Sequence, residues 1–271
     1  MKNYIQLTII ILVYCLLPGC QQSEVLEPDT AFKEKIVVFA NLKADKTFDG
    51  ISLTRTLPLN TVYDIKTAEI KNAVAYMRIN GTEIMPLAYD KDGMYKALHI
   101  ITIHSGETYE LFANIDGKKL YAHTYIPYIP EISTAQIVSS KYVQAAIVPR
   151  SNEVYGVVWI IPGANEYTFL GASQDFQEII VPDNSKMPAS MSLRTIDFPR
   201  EYQSPEYLKK VTVKAYAFDR QYYDYFRTKS NSQQVNNPFS QGGGQTMWNI
   251  YGEDVIGLFM GSAEGSSVKP Q

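Results

Sequence analysis

Cysteine is nearly missing from this chain, with two in 271 residues, at Cys15 and Cys20. No disulfide can therefore staple the body of the protein, and its fold must rest on burial. A chain of this length with 45% hydrophobic residues can bury enough. Histidine is scarce as well: His99 and His104 lie five positions apart in one apparent strand, hence on opposite faces, and the only other is His123. No His-Glu-x-x-His pair occurs, which excludes a zinc site of that kind. Gly-x-Ser-x-Gly and Walker-type loops are also missing, and Gly242 to Gly244 lacks the Lys-Ser/Thr of a phosphate cradle, so it reads as a flexible loop. Asp90-Lys91-Asp92-Gly93 starts like a calcium loop, but the later acidic ligands are missing and the Gly comes two positions early, so it reads as a turn. Lys and Arg never cluster beyond a pair, and a net charge of −3 leaves no basic footprint for nucleic acid. Nor does any apolar run reach the roughly 20 residues of a membrane-spanning helix.

What is present begins with a leader. Lys2 gives a positive start, and Ile5 to Leu17 is an apolar run broken only by Gln6 and Thr8. Leu17-Pro18-Gly19-Cys20 follows, the place where a bacterial lipoprotein signal is cut and the new first cysteine acylated. Residues 1–19 are thus expected to be a signal peptide and Cys20 the lipid attachment site. Two or more acyl chains make a stable anchor. Gln21-Gln22-Ser23-Glu24 lacks the leading Asp that holds lipoproteins at the inner membrane of enteric bacteria. The expectation is an outer-membrane lipoprotein, with surface exposure favoured by the acids nearby. Residues 20–34 are polar and acidic, a composition for a flexible stalk, and Asp29-Thr30-Ala31 fits an O-glycosylation pattern at Thr30.

From Lys35 the pattern has the period of strands. Ile36 to Phe39 is apolar, Ile51, Leu53 and Leu57 alternate with polar residues, and so do Tyr109, Leu111, Ala113 and Ile115. Leu120, Ala122, Thr124 and Ile126 line one side of the next run, and Asp116-Gly117 between the two runs predicts a tight hairpin. Asn80-Gly81 is placed in the same way, and Asp49-Gly50 and Asp92-Gly93 mark further turns. Residues 35–128 are expected to form an antiparallel sandwich, immunoglobulin-like or transthyretin-like. Pro127 and Pro130 break regular structure, which puts a boundary at 128/129. In 129–271, Val154 to Ile161 is apolar on both faces and so a central strand, with Trp159 buried and its N–H on a backbone carbonyl. Met191 to Ile196 and Val211 to Phe218 follow as strands. Asp219 then caps a helix running to about Ser230, whose Tyr222, Tyr225 and Phe226 form a core-packing stripe. The fold class is mostly β: two antiparallel sandwich-like domains, with one short helix in the second.

The tail carries a resemblance. Asn237-Pro238-Phe239, Gly242 to Gly244, Trp248-Asn249-Ile250-Tyr251-Gly252 and Val255 to Gly261 resemble the ending of a Bacteroidetes lipoprotein family known as domain of unknown function 4249. Tyr222-Tyr223-Asp224-Tyr225, the lipobox and the Pro-containing hinge fit it too. Where such tails often have Gly-Gly before the last strand this chain has Glu253-Asp254, which argues against a close turn there. The resemblance implies an envelope lipoprotein, often encoded beside TonB-dependent receptors, and no known activity.

No catalytic motif, cofactor motif or metal set is visible, and the anchor together with the receptor neighbours that the resemblance implies makes the expected role that of a non-catalytic binding lipoprotein serving TonB-dependent nutrient uptake. Its partners would be the outer membrane through the lipid anchor, a TonB-dependent receptor, and a glycan or peptide ligand. Tyrosine, with 20 residues, supplies aromatic surface, and Tyr121, Tyr125 and Tyr128 are expected to be exposed. Trp248, beside polar Gln245, Thr246 and Asn249, is the residue expected to stack on a ligand. The alternative reading is a structural or adhesive surface component.

Overall fold

Alternating apolar residues become strands almost wherever the period is two. A computed structural model describes residues 32–58, 60–161, 176–229 and 246–271. Strands β1 (Ile36–Lys43), β2 (Lys46–Thr47) and β3 (Ile51–Arg55) lead to a single helical turn, α1 (Ile65–Ala68). Then come β4 (Val74–Ile79), β5 (Glu83–Tyr89), β6 (Met94–Ala97), β7 (Thr102–Ile103), β8 (Thr108–Ile115) and β9 (Lys118–Tyr125). After the Pro-containing segment follow β10 (Ile132–Val138), β11 (Tyr142–Ile147), β12 (Glu153–Ile160) and β13 (Met191–Arg194). A short turn, α2 (Pro205–Leu208), precedes β14 (Thr212–Asp219), helix α3 (Gln221–Lys229), β15 (Ile250–Gly252) and β16 (Val255–Glu264).

The turns obey local chemistry. Asn80 and Gly81 have φ of 49° and 73°, Asp92 and Gly93 52° and 75°, and Asp116 and Gly117 51° and 86°. Two successive positive φ angles match the twist of the strands they join, and each pair links antiparallel neighbours: β4 to β5, β5 to β6, β8 to β9. Glu253-Asp254 also makes a close turn, contrary to expectation. Asp254 takes φ 54°, a conformation that a short polar side chain tolerates almost as glycine does. The histidines correct another expectation: β7 covers only Thr102–Ile103, so His99 and His104 flank a short strand rather than share a long one.

Pairing at long range departs from two sandwiches. Among the described residues, eleven strands form one sheet in the order β12-β14-β16-β1-β3-β6-β5-β4-β8-β9-β15. The reason is β16, which runs parallel to β1 from Val255 opposite Ile36 to Ser262 opposite Lys43, and takes β14 antiparallel on its other edge. Strands from both sides of 128/129 therefore share a sheet, and Glu34–Gln271 is one compact unit where domains 35–128 and 129–271 were expected. Nor do the first nine strands divide into the two facing sheets of an immunoglobulin-like or transthyretin-like sandwich. β10, β11 and β13 make a separate three-stranded sheet.

The large sheet curls on itself. A Cβ at Gly261 of β16 would stand 2.1 Å from the Tyr125 carbonyl oxygen, so the end of β9 crosses β16 at backbone distance. Inside the curl lie Val38, Leu53, Met77, Leu111, Ala122 and Phe259, all buried. The opposite face of β14 and β16 carries a second cluster, Tyr216, Phe218, Leu258 and Met260, covered by Tyr222 of α3. Burial on both faces is why the late strands read as two-sided apolar runs.

Two buried carboxylates tie the Pro-containing segment down. Asp219 accepts from Thr124 Oγ1 at 2.8 Å and Tyr125 N at 3.1 Å, and only more distantly, at 3.4 Å, from Gln221 N in the expected capping role. Thr124 Oγ1 in turn accepts from Gly261 N at 2.7 Å. Glu153 accepts from Tyr128 N at 2.9 Å and from the Tyr155 hydroxyl at 2.5 Å. Burial raises both carboxyls above their ordinary range, outweighing these donors. Their contribution to stability is thus complete below the unfolded pKa of about 4 and is lost as pH rises through the raised folded values. Glu69 behaves oppositely: the Tyr89 hydroxyl and Lys71 hold it down to about 2, so its contribution is lost as pH falls toward that value. The double variant Glu153→Gln, Asp219→Asn is expected to lose part of the rise in melting temperature that the parent shows on mild acidification from neutral pH. Identical slopes of melting temperature against pH would show that these carboxyls do not titrate in that window.

Candidate functional site

The outward face of β9 carries Tyr121, His123 and Tyr125 by simple alternation with buried Leu120, Ala122 and Thr124. Register brings Tyr121 opposite Phe112 of β8, Phe112 opposite Tyr76 of β4, and Tyr121 opposite Tyr251 of β15. An aromatic row thus crosses four strands. Tyr76 and Phe112 stack with centroids 5.0 Å apart at 13°, and Phe112 and Tyr121 stand 5.1 Å apart at 52°. Their faces are taken up by one another, which is a cross-strand stabilising arrangement more than a ligand platform. Beside the row Arg78 forms two bonds to Glu110, at 2.7 and 2.8 Å, and holds that carboxyl below its usual range. The Tyr121 hydroxyl donates to Glu110 Oε1 at 2.9 Å, and burial first, then this bond, raises its pKa.

The row ends at an opening. β15 is the edge strand, so Tyr251 is left 57% exposed, and beside it lies a cleft of about 300 Å³. Trp248 and Met247 form one side, Gln221 and Asp224 of α3 another, with His123 and Asn249 completing the lining. Trp248 is where the sequence placed a stacking residue, and its ring is 38% exposed. Its neighbours hold it in place on both sides. Met247 N donates to Thr228 Oγ1 at 2.9 Å, while buried Asn249 clamps the backbone of Phe259, donating from Nδ2 to the carbonyl at 2.5 Å and accepting from the N–H at 2.9 Å. Tyr225 of α3 backs the indole at 5.7 Å and 36°.

Polar groups in the cleft are of mixed sense. The Gln221 amide nitrogen donates to the His123 carbonyl at 3.3 Å and lies 3.0 Å from His123 Nε2. An amide nitrogen only donates, so Nε2 accepts and the ring proton sits on Nδ1, which is buried without a partner among the described residues. Gln221 Oε1, the Trp248 N–H and the Tyr251 hydroxyl have no partner among the described residues either. Asp224 is the one charged group among the described lining residues, 3.6 Å from Arg227. Among the described residues, no serine, threonine or cysteine lines the cleft.

Other residues singled out in the sequence fall elsewhere. Cys20 and Thr30 lie outside the described residues, as do Asn237 to Phe239 and the Gly-rich loop. Trp159 is 4% exposed and its N–H donates to the Ile196 carbonyl at 3.1 Å, as expected of a core indole. Tyr222 is buried and stacks on Phe218 at 4.3 Å, while Tyr225 and Phe226 are only partly buried. Tyr128 is exposed and lies under the Arg150 guanidinium at 4.4 Å. Tyr121 and Tyr125 are both half-buried, contrary to expectation, and burial pushes the Tyr125 pKa up to about 12. Sequence reasoning missed Tyr251, His123, Gln221 and Asn249. For His123 the signal was there, in the same alternation that placed Tyr121 outward.

No curated protein matches this chain. A family model does match, over residues 23–267, nearly the whole of it. With that span the chain belongs to the family described as Domain of unknown function (DUF4249).

Proposed function

We propose that this protein is a lipid-anchored lipoprotein of the outer membrane that binds its ligand without transforming it and serves TonB-dependent nutrient uptake. The observation that carries the binding role is the cleft: a tryptophan whose two chain neighbours are hydrogen-bonded in place, an exposed Tyr251, and polar groups without partners among the described residues. Holding a partly exposed tryptophan in place before a ligand arrives lowers the conformational cost of stacking on it. Support for the anchor is the order of leader, lipobox and polar stalk ahead of Glu34, and Thr30 in that stalk would carry the O-linked glycan.

Two measurements test this reading. Cys20→Ala is expected to abolish incorporation of labelled palmitate and release the protein from the outer-membrane fraction, since no apolar run of about 20 residues is there to replace the acyl chains. Palmitate entering the variant would refute the lipobox. Affinity capture of the wild-type chain from solubilised membranes is expected to bring down a TonB-dependent receptor. Recovery in surface polymers with no receptor would instead favour an adhesive or structural component.

A further inference from the structure

We infer that the ligand of the Trp248 cleft is an uncharged sugar ring stacked on the indole, a deepening that rests on the binding role proposed above. Aromatic faces carry negative potential, and one face of a pyranose is a patch of polarised C–H groups that fits them. Trp248 offers such a face because it is 38% exposed and, among the described residues, Tyr225 is the one ring that meets the indole. Tyr251 offers a second, kept in position by His123, whose ring lies parallel to it within 6° at 6.3 Å.

The polar complement points the same way. Trp248 N–H only donates, Gln221 Oε1 only accepts, Asp224 accepts, and the Tyr251 hydroxyl does both. Sugar hydroxyls also donate and accept, so one ring with several of them satisfies such a mixed set, where a ligand of one polarity leaves half of it unpaired. An anionic ligand has no Lys or Arg among the described lining residues to meet and would face Asp224. A metal ion has one carboxylate where a site needs several ligands, and no group of three candidate ligands occurs among the described residues. A peptide added as a strand requires a run of unpaired backbone, but the edge strand β15 is three residues long and ends in Gly252. An organic cation is the nearest rival, since aromatic rings and a carboxylate attract it. Asp224 already has Arg227 at 3.6 Å, which weakens its pull on a second cation. A volume of about 300 Å³ is at the low end for ligand sites and suits one or two sugar rings.

The test uses the full lipidated chain in detergent, titrated by calorimetry with neutral gluco-, manno-, galacto- and xylo-oligosaccharides, with oligogalacturonate, tripeptides and choline as contrasting probes. At least one neutral series is expected to bind. Trp248→Ala should weaken it about tenfold or more with only a small loss of melting temperature, and Trp248→Phe should restore most of the lost affinity. Gln221→Ala should weaken it less and change the preference among sugars epimeric at one hydroxyl. Binding of neutral sugars unaffected by Trp248→Ala would overturn the inference, and so would the absence of binding by every neutral series. Trp248-dependent binding of choline, galacturonate or tripeptide instead would overturn the sugar assignment while leaving the binding role intact. That role stands or falls separately, on capture of the receptor.

Discussion

Gly257→Ala is expected to cost about 4 kcal/mol or more and to lower the melting temperature by about 10 °C or more in a chain of this size. Gly257 lies in β16 directly opposite Val38 of β1, in the parallel pair that joins the last strand to the first. Its φ is +139°, which side chains rarely adopt, and an added Cβ would fall 1.9 Å from the Val38 carbonyl oxygen and 2.8 Å from Val38 N and C. All three are backbone atoms in a central strand, so no side chain can swing aside. Either β1 moves off β16 and breaks the ladder, or β16 twists and withdraws Phe259 and Leu258 from the two cores they fill. Gly81→Ala is the control. Gly81 also has positive φ, +73°, but nothing lies within 4 Å of its Cβ position, so only conformational strain of about 1 kcal/mol is expected. Urea unfolding of both variants decides the matter: equal losses would mean that close approach of β1 to β16 is not what Gly257 serves.

That pair also shows where the sequence stops being informative. Asn80-Gly81 and Asp116-Gly117 announce their hairpins because the turn chemistry and both strands lie within about twenty residues. β1 and β16 have no such local signature. Ser262 Oγ donates to Asn41 Oδ1 at 2.6 Å across 221 positions, and nothing in either strand's own alternation names the other as its partner. A Pro-containing break between two sets of strands therefore looks like a domain boundary, although the sheet passes over it. The two-sided apolar pattern of Val154 to Ile161 did indicate a central strand, but a strand with two buried faces reveals neither of the layers that cover it.

The candidate site divides in the same way. Trp248 was legible because a large aromatic among polar residues next to a Gly-rich loop departs from what a core would contain. Its surroundings were not. Asn249 reads as one more polar loop residue, yet its amide meets both backbone groups of Phe259. Gln221 reads as the start of a helix, yet it fixes the tautomer of His123, 98 positions away. Asp219 reads as a helix cap, and its shorter bonds go instead to Thr124 and Tyr125. Each is a short polar side chain given its role by a distant backbone segment, and only the fold supplies that segment.

Trp159→Ala is expected to cost about 3 to 5 kcal/mol, the range for truncating a large buried aromatic. The indole is 4% exposed, its edge meets Phe198 at 5.1 Å and 73°, and Tyr202 stands 6.1 Å away. Two losses combine on truncation: the packing of the ring, and the hydrogen bond from its N–H, which leaves the Ile196 carbonyl short of a donor. Because Trp159 lies on β12, paired along its length with β14, the damage should reach the main core rather than stay local. Trp248→Ala is expected to lower stability by no more than about 1 kcal/mol, since its ring is already 38% exposed and makes a tilted contact with Tyr225. Each single-tryptophan protein also reports on its own ring. Acrylamide should quench Trp248 emission strongly in Trp159→Phe and leave Trp159 emission nearly untouched in Trp248→Phe. Equal quenching together with equal losses of melting temperature would show Trp248 to be a core residue, and the cleft would lose the ring on which a ligand is proposed to stack.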